Sequence, residues 1–249
     1  MDVATLQRLT ARTWPGLEQD RLGEWELRAA GGFTGRANSA LPIGDPGIAL
    51  HEAMDRVGAW YAARGLAPRL QVPAPLSGLE HPPPAAEITA WCDEQGWSAE
   101  PWTLVMVRET RPAGDRSGLA LRWSDRPDAD WLNVYHYRGA DLPEQAVRVI
   151  TAAPARYLTA LLDGAVVGIG RAAVVEHLVV LTAIEVVAGQ RRRGHGAVIT
   201  EALAAHGGQQ GATLAALQVF AHNRPAVGLY RTLGYRDHHR YRYRTPPVR

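Results

Sequence analysis

A chain of 249 residues, 46% apolar and 21% charged, has enough hydrophobic material for one large domain or two moderate ones, and no low-complexity tract. A net charge of +2 is too small to argue for a nucleic-acid partner, and the apolar stretches stop short of membrane-spanning length. Cys92 is a single cysteine, and Met1-Asp2-Val3-Ala4 lacks the basic-then-apolar order of a secretion signal, so a cytoplasmic enzyme is expected.

In chain order, residues 2–12 read as a short amphipathic helix that Trp14-Pro15 breaks, and residues 24–29 alternate like a half-buried strand. Gly31-Gly32 ends that strand, and residues 33–42 are expected to form a second one. A helix follows from about Ile48 to Ala63, with Leu50, Met54, Val57 and Tyr61 on its apolar face. Residues 68–72 read as a strand, 85–95 as a helix stopped by Gly96, and 102–107 as a strand. The polar, turn-rich stretch 111–117 is the expected linker between a domain at 1–110 and another at 118–249.

The second part begins with a strand at 119–123 and helices at 129–137 and 143–152. Strands at 157–162, 165–174 and 178–187 come next, the first two joined by an Asp163-Gly164 hairpin turn. A helix at 197–205, a strand at 214–220, a helix at 225–232 and a strand at 236–244 complete the chain. The last strand contains Arg240-Tyr241-Arg242-Tyr243-Arg244, whose period of two places tyrosines on one sheet face and arginines in water.

The two parts resemble each other. Leu70-Gln71-Val72 is echoed by Leu217-Gln218-Val219, and the helix-glycine-strand run through Cys92, Gly96 and Trp97 by the run through Tyr230, Gly234 and Tyr235. Similarity at one large interval implies two copies of one domain rather than a solenoid.

The stretch from Val186 to Ala197 joins an apolar strand directly to a helix through a basic, glycine-bearing turn. Such a turn aims unpaired N–H groups and the positive end of the helix dipole at one spot, which suits phosphate. Gly194 and Gly196 allow close approach to the backbone, Arg191, Arg192 and Arg193 supply charge, and a protonated His195 can pair with phosphate.

Arg191-x-x-Gly194-x-Gly196 resembles the acetyl-CoA pyrophosphate loop of the GNAT superfamily of N-acetyltransferases. Downstream, Asn223-x-x-Ala226-x-x-Leu229-Tyr230-x-x-x-Gly234-Tyr235 resembles the second GNAT signature, in the correct order and spacing. Gly32-Phe33-Thr34-Gly35-Arg36-Ala37-Asn38-Ser39 with Trp60-Tyr61 is similar to a bacterial tandem-GNAT family, some members of which are labelled N-acetylglutamate synthases. The resemblance implies an α/β fold with a mixed (α+β) sheet, built from two tandem GNAT-like domains. The first would be degenerate, since it has only Ile43-Gly44-Asp45-Pro46-Gly47 in place of the loop and Cys92 in place of Tyr230.

It also implies acetyl-CoA (coenzyme A) as co-substrate and direct transfer to a primary amine, with no metal. The histidines His206, His222, His238 and His239 lack metal-site spacing. Backbone amides of Val186 and Val187 would hold the pantetheine arm and the acetyl oxygen, and residues 191–197, through Ala197, the pyrophosphate. Tyr230 would be the general acid. Asn223 is read either as a cofactor contact or as a helix N-cap. Glu185 is read as the general base or as a surface carboxylate paired with an arginine, with Glu176 and His177 in reserve. Phe33, Arg36, Asn38 and Ser39 are candidates for the acceptor cleft, Arg36 suiting a carboxylate. The acceptor is open among the α-amine of an amino acid such as glutamate, an aminosugar and a protein amine. A non-catalytic acyl-CoA-binding sensor or regulatory protein remains the alternative.

Overall fold

The computed structural model describes residues 1–76, 80–112, 118–136 and 142–247. Helix α1 (Val3–Arg12) starts at Asp2, whose carboxylate accepts the Thr5 N–H. A hairpin follows, β1 (Glu18–Leu22) with β2 (Trp25–Ala29), and then α2 (Leu50–Ala62), β3 (Leu70–Pro75), α3 (Ala85–Glu94), β4 (Ser98–Ala99) and β5 (Thr103–Glu109). The rest of the chain carries β6 (Ala120–Ser124), α4 (Ala129–Val134), α5 (Ala146–Ile150), β7 (Arg156–Leu162), β8 (Ala165–Val175) and β9 (Leu178–Val186). A 3-10 turn at Ala188–Gln190 leads to α6 (His195–Gln209), β10 (Leu214–Phe220), α7 (Arg224–Thr232) and β11 (Arg236–Thr245).

All strands except the β1–β2 pair join one nine-stranded sheet in the order β3-β11-β5-β10-β9-β8-β7-β6, with β4 beside β11. Only β9 and β10 are parallel neighbours, so the sheet is mixed. Its two parts are interleaved across the expected linker. The strand partners of β11 are β3, β4 and β5, all from before residue 111, and β5 separates β10 from β11. Of the expected linker at 111–117, residues 113–117 lie outside the described residues.

Helices α6 and α7 cover one face of the sheet, packing Ile199, Leu203, Val227 and Tyr230 into a cluster with Leu181, Leu217 and Val219. The other face lies under α1, whose Leu6 and Leu9 meet Val105, Val180, Tyr241 and Tyr243. Burying each such leucine contributes about 2 kcal/mol. Helices α4 and α5 continue this layer, with Trp131, Val149 and Ile150 buried against Trp14, Phe33 and Tyr157. Helices α2 and α3 enclose β3 through Met54, Val57, Tyr61 and Ile88.

Several sequence expectations change. Residues 33–42 form turns, with isolated bridges at Ala40 and Leu41 instead of a strand. The Asn38 amide is the reason: it accepts the N–H groups of Ala30 and Gly32 and donates to the carbonyls of Phe33 and Thr34. Those backbone groups are therefore unavailable to a strand ladder. Strand β1 gave no apolar signal because it is polar and almost wholly exposed. Helix α4 stops at Val134, and Tyr137, the expected end, lies outside the described residues. The arginines of β11 are not simply in water. Arg240 and Arg242 stack on Trp102 at 4.1 and 4.5 Å, and buried Arg244 donates to Asp93 of α3.

Candidate active site

The centre of the site is a gap in the sheet. β9 and β10 pair only from Leu178 with Leu214 to Leu181 with Leu217, although β9 runs on to Val186 and β10 to Phe220. Beyond that point β10 stays with β5 and β9 stays with β8. The divergence coincides with a bulge on β9, where the register against β8 slips between Thr182 and Glu185 and Ala183 takes φ +51°.

The bulge also resets which side chains face which layer. Val179 and Leu181 belong to the cluster beneath α6 and α7, and beyond the bulge Ile184 and Val186 pack there. Glu185 is thereby turned to the opposite face, where its carboxylate accepts the His136 N–H at 3.1 Å. Without the extra residue, strict alternation would have placed Glu185 under α6. Burial pushes its carboxyl above the ordinary value, against the lowering effect of the His136 N–H and of the His136 and Arg191 charges. No arginine ion pair holds it among the described residues.

On the α6 and α7 side the gap opens into a cleft of about 870 Å³. Glu185, Val186, Arg191, Arg192, Gly194, His195, Gly196, Ala197 and Asn223 line it, together with Gln190 and the α7 residues Arg224, Pro225 and Leu229. Gly194 is the residue before α6, at φ +87°, a conformation that glycine adopts without a steric cost. Among the described residues no side chain caps α6; the Ala197 N–H bonds to the Gly194 carbonyl at 2.9 Å, and the amides of His195 and Gly196 ahead of it are left for a ligand. Two buried polar atoms, His195 Nε2 and Gln190 Oε1, have no partner among the described residues. An anion with several oxygens would satisfy the N–H donors of this cradle and match the dipole of α6.

Two members of the expected set are placed differently. Arg193 is exposed and does not line the cleft. The Val187 N–H is already committed to Val167 O at 3.0 Å, inside the sheet. Alternation along β9 then turns the Val186 N–H toward the gap, and the Val186 carbonyl on that same edge accepts Arg191 Nε.

Asn223 caps α7 by accepting the Ala226 N–H at 3.3 Å, as its reading as an N-cap expected, and it also lines the cleft. Tyr230 is 8% exposed and lies in the buried cluster under α7 rather than on the cleft wall. Burial pushes its phenol up to about 12, with no hydrogen bond contributing.

The four acceptor candidates separate. Phe33 is buried against Trp14 and Trp131, and Asn38 and Ser39 are spent on holding the loop, Ser39 through Arg28. Arg36, by contrast, lines a cavity. His136 gave no sequence signal, being an isolated polar residue brought to the site by packing, whereas Gln190 lies inside the Val186–Ala197 stretch, directly before Arg191. Of the reserves, Glu176 pairs with Arg12, and the His177 carbonyl accepts N–H groups from Thr213 and Leu214 at the far end of β9.

Residues 1–244 match the family described as probable histone acetyltransferase Rv0428c C-terminal. The chain is 32% identical to the probable histone acetyltransferase Rv0428c of Mycobacterium tuberculosis, covering 97% of this chain and 73% of that protein. It is 24% identical to the uncharacterized N-acetyltransferase YobR of Bacillus subtilis, covering 98% of each. A GCN5-related N-acetyltransferase from Kribbella flavida has the same fold, with a TM-score of 0.73 at 17% identity over 100% of this chain and 97% of that one. A tandem GNAT protein from the clavulanic acid biosynthesis pathway gives a TM-score of 0.58 at 16% identity, over 85% and 76% of the two chains. The family match across nearly the whole chain, on a mixed sheet split open beside an uncapped helix, makes this protein an acyltransferase of the Rv0428c C-terminal family of GNAT N-acetyltransferases.

Proposed function

We propose that the chain binds acetyl-CoA in the cleft between α6 and α7 and transfers the acetyl group directly to a primary amine of a small molecule, such as the α-amine of an amino acid. The pyrophosphate sits on the first amides of α6, flanked by Arg191 and Arg192, with the His195 ring as a further donor. The Val186 N–H, on the open edge of β9, takes the acetyl carbonyl oxygen. Glu185, on the other face of the same gap, removes a proton from the incoming amine directly or through water. The amine nitrogen bonds to the carbonyl carbon, the carbon–sulfur bond breaks, and Tyr230, one residue beyond the cleft-lining Leu229, supplies the proton that the departing thiolate needs once bound CoA brings its sulfur to the buried hydroxyl. A phenol raised to about 12 remains protonated throughout the neutral range and so keeps its proton for that step.

The observation that carries this reading is the split between β9 and β10, with an uncapped helix N-terminus on one side and a carboxylate of raised proton affinity on the other. Calorimetry with CoA and thiol release from acetyl-CoA across a panel of amines test it. Absence of CoA binding, or binding without turnover of any amine, would overturn it.

We further propose that the two parts are tandem copies, the first having lost its cofactor loop. The helix ends support this: Trp97 N–H bonds to Cys92 O and Tyr235 N–H to Tyr230 O, and likewise Leu66 to Tyr61 and Ala212 to Gly207. Strand register supports it as well. Gln71 pairs with Tyr243 and Gln218 with Val105, where Val105 lies eight residues beyond Trp97 and Tyr243 eight beyond Tyr235. Each copy thus lends its last strand to the other, and residues 1–110 complete the sheet and cover the acceptor side of the gap.

A further inference from the structure

The cleft lies on the α6 and α7 face, but the gap between β9 and β10 also opens toward α1. On that face a second cavity of about 130 Å³ is bounded by Thr34, Gly35 and Arg36 above the sheet and by Thr103 of β5, Gln218 and Phe220 of β10, and Tyr241 and Tyr243 of β11 in it. Gln218 and Phe220 belong to the part of β10 that has left β9, and they alternate with Leu217 and Val219, which face the cleft side. This cavity therefore lies over β11, β5 and the diverging end of β10, on the face of the sheet opposite the cleft. Residues 34–36 are held close over the sheet, for a Cβ on Gly35 would lie 2.8 Å from the Tyr243 ring.

Arg36 is the charged residue on the wall of this cavity. The Arg36 guanidinium is stacked on Trp14 at 4.5 Å and makes no ion pair among the described residues. Arg171, fully buried, stands over the same Trp14 ring at 5.0 Å, and its bonds go to the carbonyls of Ile150 and Ala153 and to the Thr182 hydroxyl. Arg28, also buried, bonds to Ser39 and Gln71, and its Nη1 has no partner among the described residues. None of these partners is an anion. None of the three guanidinium groups is ion-paired among the described residues, and Arg36, with Arg171 behind the same Trp14 ring, leaves on the wall of this cavity a charge that a small anionic group would neutralise, whereas Arg28 lines a separate cavity beside Asp20 and Glu26.

Resting on the transferase reading above, we infer that Arg36 binds a carboxylate of the acceptor, so that the substrate class is small amino acids or related amino-carboxylates. A lysine in a basic protein tail does not fit. The cavity has the size of a head group, and a run of cationic side chains would meet like charge there. The carboxylate held by Arg36 positions the molecule so that its amine reaches into the gap on the side where Glu185 faces.

The test is thiol release from acetyl-CoA with glutamate, aspartate and other amino acids, with their carboxamide and decarboxylated counterparts, and with a lysine-rich histone-tail peptide. Wild type should favour the carboxylates, and Arg36→Met should raise their KM by ~10- to 100-fold, the strength of a charged hydrogen bond, while leaving CoA affinity by calorimetry unchanged. Arg36→Lys should recover part of the loss, and the advantage over the carboxamides should vanish in Arg36→Met. Turnover of carboxylate-free amines with equal efficiency, or of the basic peptide unaffected by Arg36→Met, would overturn the inference and leave the transferase reading intact. CoA binding without turnover of any amine would instead remove the transferase reading, and this inference with it.

Discussion

Replacing Glu185 by Gln separates a working carboxylate from a structural one. The side chain is 26% exposed, its Oε2 accepts the His136 N–H at 3.1 Å, and burial holds its carboxyl above the ordinary 4.5. A glutamine keeps the acceptor oxygen for His136 but cannot take a proton. If Glu185 is the base, the rate of thiol release should fall by ~10²- to 10⁴-fold with CoA affinity unchanged.

The ratio of wild-type to variant rates cancels the titration of the acceptor amine. It should decline as pH falls through the raised carboxyl value, because wild-type Glu185 then becomes protonated and resembles the variant. The stability sign is opposite to that of a salt-bridged carboxylate. A raised native value means that the folded chain binds this proton more readily than the unfolded chain, so stability drops as pH rises through that window. At neutral pH the charged carboxylate is a cost, and Glu185→Gln should melt no lower than wild type. A pH-independent ratio, or a rate loss under about tenfold, would refute the assignment of Glu185 as base.

Other outcomes follow from the same geometry. Tyr230→Phe should lower kcat by ~10²-fold or more while leaving CoA affinity and melting temperature unchanged, because the hydroxyl it removes has no hydrogen-bonding partner among the described residues; retention of full kcat would show another acid. Gly194→Ala places a Cβ at φ +87°, and a strain of about 1 kcal/mol should weaken CoA binding up to ~10-fold by calorimetry, with unaltered affinity counting against the cradle. Glu201→Gln leaves buried Arg108 with a weaker partner and should cost about 2 kcal/mol in denaturant unfolding. Burial raises the Glu201 carboxyl, but hydrogen bonds from Arg108 and Arg111 more than reverse that, so its contribution is present above the ordinary carboxylate value and lost as pH falls through the lowered one. A fragment of residues 118–249 should show no cooperative melting, since β11 would have lost β3, β4 and β5; a folded, active fragment would contradict the interleaved sheet.

Much of the site was legible because its signals are local. A glycine that must take a left-handed conformation, an apolar strand running straight into a helix, and an asparagine at a helix start are written in adjacent residues, and Gly194, His195 and Asn223 all line the cleft. The acceptor side was less legible. Phe33, Asn38 and Ser39 belong to the same short stretch as Arg36, and nothing in their spacing distinguishes the loop-holding amide of Asn38 from a side chain that faces a cavity. His136 had no signal, since its position beside Glu185 comes from α4 packing on the sheet rather than from its neighbours in the chain.

The amino-acid order alone determined most of the periodic elements and the two glycine-bearing motifs, because each depends on contacts a few residues apart. Tertiary structure decided the rest. It placed β5 between β10 and β11, turned Glu185 to the far face through the bulge at Ala183, buried Tyr230, and left Arg36 as the acceptor candidate on a cavity wall. The physical reason is that strand partners and facing are set by packing across the sheet. A one-residue bulge reverses which face every later side chain occupies without a reliable mark in the local sequence.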